Sequence, residues 1–170
     1  MLNGARVRLQ WLLEWLVVVL VGTLVVIVVL AVIYRKLGAS LSWYDEVASV
    51  LLAWLTYYGA ALAALKRAHI GFPGLVYAVP LPYRMALVVV AEAFVIGFFL
   101  ILAWQGYAVL VVLEGDALVS LPEVPTRLTQ SVIPIGAVLF VVAELLSLPQ
   151  AWRRARAGGL IAEPTAEERR

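Results

Sequence analysis

Residues 15–34 read WLVVVLVGTLVVIVVLAVIY and carry no charged side chain over 20 positions. A helix needs about 20 apolar residues to cross the roughly 30 Å hydrocarbon core of a bilayer, so this stretch alone predicts a transmembrane helix. Three further apolar runs follow, at about 47–65, 85–113 and 128–148. The predicted fold is therefore all-α and integral to the membrane, with four transmembrane helices over about residues 12–34, 45–66, 83–113 and 128–150.

The composition of the chain agrees with a membrane protein. Hydrophobic residues make up 64% of the 170 residues and charged residues 14%, against about 45–50% and about 25% in soluble domains. We find no internal repeat and predict a single four-helix membrane domain with a short flexible C-terminal tail. The basic residues that give the net charge of +2 lie in loops and tails, where they are expected to set orientation rather than to bind nucleic acid.

The sequence offers few residues for chemistry. There is no cysteine, which excludes disulfides and thiol catalysis, and His69 is the one histidine. A metal site needs several ligands, and a haem held by two histidines cannot be built from this chain alone. We therefore predict no catalytic residues, no cofactor and no metal, and we expect that the protein is not an enzyme.

The distribution of basic residues predicts the orientation. With the N-terminus placed in the cytoplasm, ten Lys and Arg residues fall on the cytoplasmic side and three on the other, which is a clear positive-inside bias. Both termini are thus predicted to be cytoplasmic. The ten are Arg6, Arg8, Lys66, Arg67, Arg84, Arg153, Arg154, Arg156, Arg169 and Arg170, and the three are Arg35, Lys36 and Arg127.

Three acids, Glu14, Glu92 and Glu144, lie within or near the predicted spans. Ionisable side chains at membrane depth are costly, and a proton or ion relay through Glu92 and Glu144 is one hypothesis for them. Each, however, lies toward the cytoplasmic end of its span in the predicted topology. We therefore favour the interpretation that they snorkel or pair with basic residues, on this chain or on a partner.

The second predicted helix has recognisable ends and a row of small residues. Ser42, with Asp45 three positions later, predicts a capped start. Small residues at spacings of four allow close helix packing in a membrane. Such residues lie on the second helix at Thr56, Gly59, Ala60, Ala63 and Ala64, and on the third at Ala93 and Gly97.

The stretch 41–70, LSWYDEVASVLLAWLTYYGAALAALKRAHI, resembles the small membrane subunit of tripartite ATP-independent periplasmic (TRAP) transporters, the DctQ-like family. That family shows a Trp before an acidic pair, a Trp–Leu–Thr stretch, a Gly–Ala–Ala, then basic residues and His–Ile. The start of the last span, Ile133-Pro-Ile-Gly136, is also similar. The matching residues here are Trp43, Asp45, Glu46, Trp54, Gly59, Lys66, Arg67 and His69.

The resemblance implies a place in a larger assembly in a bacterial or archaeal cytoplasmic membrane. A large membrane subunit moves an organic acid by an elevator motion, usually coupled to sodium, and a periplasmic solute-binding protein delivers the substrate. The small subunit packs against the large one and enlarges its fixed scaffold in the lipid bilayer. The matched residues are then expected to be structural or to lie at the subunit interface.

Two alternatives stay open at this level. The first is a membrane-anchor subunit of a respiratory or other membrane enzyme, in which any haem would need ligands from another chain. The second is a self-contained proton- or ion-conducting protein that uses Glu92 and Glu144.

Overall fold

The computed structural model is all-helical over the residues it describes, which are 2–68 and 79–157. Four of its helices are long and apolar enough to cross a membrane, as the sequence predicts. The expected C-terminal tail lies largely outside the described residues, as does His69. The helices are α1 (Leu2–Lys36), α2 (Tyr44–Lys66), α3 (Leu81–Val112), the short α4 (Thr126–Gln130) and α5 (Val132–Ala157).

The ends of the helices follow from local chemistry. α2 begins after Trp43, which makes no side-chain cap, so the cap expected from Ser42 is wrong. The backbone carbonyl of Ser42 instead accepts a hydrogen bond from the hydroxyl of Ser120, at 3.3 Å. A proline lies in the first turn of α3, where its missing N–H is harmless. α5 continues beyond Pro149 to Ala157, past the predicted end of the last span.

The four long helices pack side by side in the order α1, α2, α5, α3, and not as a closed four-helix bundle. α2 and α5 form the centre, α1 packs mainly on α2, and α3 packs mainly on α5. The apolar core lies between these pairs and includes Leu13 of α1, Tyr58 and Leu65 of α2, and Phe140 of α5. α1 and α3 are therefore the two flanks of the domain, and most of their apolar side chains face outward.

Two glycines allow the central contacts. A Cβ atom on Gly136 of α5 would lie 2.7 Å from the Cβ of Tyr57, and one on Gly106 of α3 would lie 2.8 Å from a methyl of Ile133. Both distances are too short for a real side chain. Phe99 of α3 also stacks on Phe140 of α5, with ring centroids 3.6 Å apart. Close backbone approach at the glycines thus sets α5 against both neighbours.

Candidate functional site

A cluster of charged side chains in the described structure is centred on Arg67, directly after α2. Arg67 has φ 53° and ψ 37° and ends the helix, with its N–H directed to the carbonyl of Ala64. A left-handed backbone is common at the residue that ends a helix. That residue is usually glycine, because a side chain in the left-handed conformation costs about 1 kcal/mol or more. Among the described residues, Arg67 is the one non-glycine with positive φ. Such strain persists where surrounding contacts fix the residue.

Those contacts come from α3 and α5. Nη1 of Arg67 lies 2.6 Å from Oε1 of Glu92 and 2.9 Å from Oε1 of Glu144. Its Nε donates to Oγ of Ser147 at 2.9 Å, and that hydroxyl donates to the backbone carbonyl of Glu144. The side chains of Arg67, Glu92 and Glu144 are 19%, 13% and 6% exposed. One guanidinium therefore joins the end of α2 to both α3 and α5.

A second ion pair extends this arrangement to α1. Nζ of Lys66 lies 2.6 Å from Oε1 of Glu14, which also accepts a hydrogen bond from Gln10. Arg6 donates to the carbonyl of Leu65 at 2.8 Å, where a cation also complements the helix dipole. We call the set Glu14, Lys66, Arg67, Glu92, Glu144 and Ser147 the polar layer. The three acids that sequence analysis singled out are thus all paired with basic residues of the same chain.

A different set of contacts involves the N-terminal half of α2. The carboxylate of Glu46, in the first turn of α2, accepts the backbone N–H groups of Val119 and Ser120 at 3.0 and 2.8 Å. Eight residues further along α2, Nε1 of Trp54 donates to the carbonyl of Thr129 at 2.8 Å. These bonds attach the connection between α3 and α5 to α2. The structure therefore joins α2 to other parts of the chain at both of its ends.

Replacing Glu46 with Ala tests this attachment. We expect hydrogen exchange at the amides of Val119 and Ser120 to become about threefold to tenfold faster, because each amide loses its acceptor. Exchange measured by mass spectrometry over residues 113–125 reports the change. Asp45→Ala is the matched control, since Asp45 is exposed and contacts no acceptor or donor among the described residues. Equal exchange in both variants would show that Glu46 does not hold this loop.

The other residues singled out by the sequence are not part of either set. Trp43 is half-buried at the start of α2 and Asp45 is exposed. Gly59 has no atom within 4 Å of an added Cβ, so it makes no close helix contact within this chain. His69 lies outside the described residues. The two glycines that do allow close contact, Gly106 and Gly136, were not predicted to do so, although the second belongs to the Ile-Pro-Ile-Gly motif.

The described residues contain no group of three or more His, Cys, Asp or Glu side chains placed to hold a metal ion. The charged side chains of the polar layer pair with one another and join helices, while Nη2 of Arg67 and Oε2 of Glu92 are buried without a hydrogen-bond partner among the described residues. The fold and this layer together define a multi-pass membrane protein whose helices are joined by charged side chains.

Comparison with known families identifies the class more closely. Residues 24–154 match the family described as "Tripartite ATP-independent periplasmic transporters, DctQ component". The match covers most of the chain, and the protein belongs to this family of transporter components. The matched range includes all the residues of the polar layer except Glu14. A search of curated proteins finds no match.

Proposed function

We propose that this chain is the small membrane subunit of a TRAP transporter and acts as a scaffold for a large elevator-type permease. The transporter takes up an organic acid from a binding protein and is driven by an ion gradient, most simply of sodium. The small subunit binds no substrate on this proposal. The observation that supports a scaffold is the attachment of the central helix α2 to other parts of the chain at both ends, by the polar layer at one end and by Glu46 at the other, with a further bond from Trp54.

The physical reason is that an elevator needs a part that stays fixed. When one domain slides across the membrane, the helices beside it must resist being dragged. Helices joined at a single level can tilt about that level, whereas contacts at two levels about 30 Å of helix apart oppose tilting. Glu46 and Arg67 are 21 residues apart on and just after α2, which gives this separation.

The positive-inside count supports an orientation with both termini in the cytoplasm of a bacterial or archaeal cell. In that orientation the polar layer lies on the cytoplasmic side, and the connection held by Glu46 lies on the periplasmic side. The proposed partners are the large membrane subunit, the periplasmic solute-binding protein and the lipid bilayer. Nucleic acid is not among them.

The motif residues divide between two proposed roles. One group contacts other parts of the chain and is proposed to be structural: Glu46, Trp54, Lys66 and Arg67. Trp43 and Asp45 make no side-chain hydrogen bond, ion pair or ring contact among the described residues, and Gly59 makes no close contact. These three residues are proposed to face a partner, and His69 is placed with them on the resemblance alone.

Deletion of this chain from its host is expected to abolish uptake of the organic acid, because the permease loses its scaffold. The purified solute-binding protein is expected to bind its ligand with unchanged affinity. A tagged copy of the chain should restore uptake and copurify with a much larger membrane protein. Radiolabelled uptake in the deletion and complemented strains makes the measurement. Unimpaired uptake would contradict the proposal, and a haem absorbance band in the purified complex would favour the enzyme-anchor alternative.

A further inference from the structure

The charges in the cluster around Arg67 do not balance. Lys66 is paired with Glu14, so Glu92 and Glu144 have one guanidinium between them. If both of these carboxyl groups were ionised, the cluster would carry one uncompensated negative charge. The two acids lie 11 positions after the start of α3 and 12 positions after the start of α5. The extra charge would therefore lie well inside two helices that can span a membrane, where it is costly.

The positions of the side-chain atoms indicate that the two acids are not both ionised. Both Oε1 atoms lie on the same Nη1 of Arg67, whereas Nη2 is buried without a partner among the described residues. Two carboxylates repel each other and are expected to take different nitrogens of the guanidinium. Here the carboxyl groups of Glu92 and Glu144 lie within hydrogen-bond reach of each other. Ionised carboxylates only accept hydrogen bonds, so a bond between the two acids requires a proton on one of them.

The other charged groups at this end of the helices are bonded elsewhere or exposed. From α1, Glu14 pairs with Lys66. On α3, Arg84 donates to two backbone carbonyls, one of them near the end of α5. Arg153 and Arg156 of α5 are exposed. The guanidinium that ends α2 is therefore the cation on which the two central acids converge.

We propose that this cluster is a proton-binding site, in which Glu92 and Glu144 share one proton at neutral pH and Arg67 balances the one negative charge that remains. Two carboxyl groups at hydrogen-bond distance cannot both ionise readily, so they bind the proton as a pair. Release of the proton at alkaline pH leaves two carboxylates on one guanidinium. The contacts that join α2, α3 and α5 then weaken. The proposal is independent of the proposed function, because this chain supplies every group.

Infrared spectroscopy of the purified full chain in detergent detects the proton through the C=O stretch of a protonated carboxyl group. We expect this band from the wild type at neutral pH and expect it to disappear when the pH is raised. Glu92→Gln and Glu144→Gln should each abolish it at neutral pH, because the remaining acid then has the guanidinium to itself and ionises. Glu14→Gln is the matched control and should keep the band, since Glu14 already has its own cation. Absence of the band from the wild type, its survival in either central variant, or its loss in the control overturns the proposal.

The pH dependence of stability gives an independent measure. The folded cluster holds a proton that a glutamate of the unfolded chain releases near about pH 4.3, so raising the pH above that value favours unfolding. By linkage, one such proton makes the unfolding equilibrium constant rise about tenfold per pH unit, until the cluster releases its proton and the rise ends. We expect the wild type to show this extra rise above about pH 6, relative to Glu92→Gln and Glu144→Gln. Denaturant unfolding in detergent across this pH range measures it.

Two further measurements exclude other sources of the effect. His69, outside the described residues, is a histidine that titrates in the same pH range, so His69→Gln should keep the wild-type pH dependence. If the dependence disappears in His69→Gln, or is equal in the wild type and both central variants, the proposal is wrong. It is also wrong if the infrared band is absent and sodium chloride stabilises the wild type more than choline chloride at the same pH, because a bound cation then neutralises the cluster.

Discussion

Arg67→Met is expected to lower the free energy of unfolding by about 3 kcal/mol. The loss of the guanidinium leaves two carboxylates facing each other between α3 and α5, and removal of one partner from a buried ion pair typically costs about 3–5 kcal/mol. The lower end of that range applies because the Arg67 side chain retains 19% exposure. Denaturant unfolding of the purified subunit in detergent measures the change.

Companion variants separate charge from backbone. Arg67→Gly removes the same side chain but places a residue suited to the left-handed conformation. The free energy of unfolding should therefore fall by about 1 kcal/mol less than in Arg67→Met. Adding Glu92→Gln and Glu144→Gln to Arg67→Met should recover most of the stability, because no unpaired charge remains. Arg127→Met is the control: Arg127 and Glu114 are 3.6 Å apart and 49% and 74% exposed, and such surface pairs contribute little. If Arg127→Met lowered the free energy of unfolding as much as Arg67→Met, the polar layer would have no special role in stability.

The four spans were predictable because lipid imposes a rule that depends only on local sequence. A run of about 20 apolar residues must be helical, since every backbone group needs a partner within the segment. The same reasoning applies to the pairing of the three acids, because an isolated charge at that depth is too costly. The start of α2 was less predictable, since Trp43 precedes the helix and the carbonyl of Ser42 is used by Ser120 across the loop.

The partners of Arg67 could not be read from the sequence. Glu92 is 25 positions away and Ser147 is 80, and the bridge depends on a backbone turn that glycine usually makes. Spacing patterns describe one helix at a time and say nothing about how two helices are rotated against each other. For the same reason Gly59 was expected to pack closely, whereas Gly136 does so against Tyr57. The rotation of α5 about its axis, between α2 and α3, decides which glycine lies at a close helix contact.

Gly136→Leu is expected to destabilise the subunit by about 2 kcal/mol or more. An added Cβ would lie 2.7 Å from the Cβ of Tyr57, and 3.0 and 3.1 Å from two of its ring atoms. The nearest atom adjoins the backbone of α2 and cannot rotate away, so α2 and α5 must separate. Overfilling a packed contact costs about 1–3 kcal/mol and occasionally more, while removal of a helical glycine returns up to about 1 kcal/mol. Thermal unfolding in detergent measures the net change in stability from these two opposing effects.

Gly59→Leu is the matched control for that variant, because it places the same side chain on α2 where no atom lies within 4 Å. In the isolated subunit we expect it to be neutral or to stabilise by up to about 1 kcal/mol, through the higher helix propensity of leucine. The two leucines therefore have opposite expected effects although each replaces a helical glycine in the same pair of spans. A similar loss of stability in both variants would mean that glycine is needed for the helices themselves, and the close contact between Gly136 and Tyr57 would then not be what sets α5 against α2.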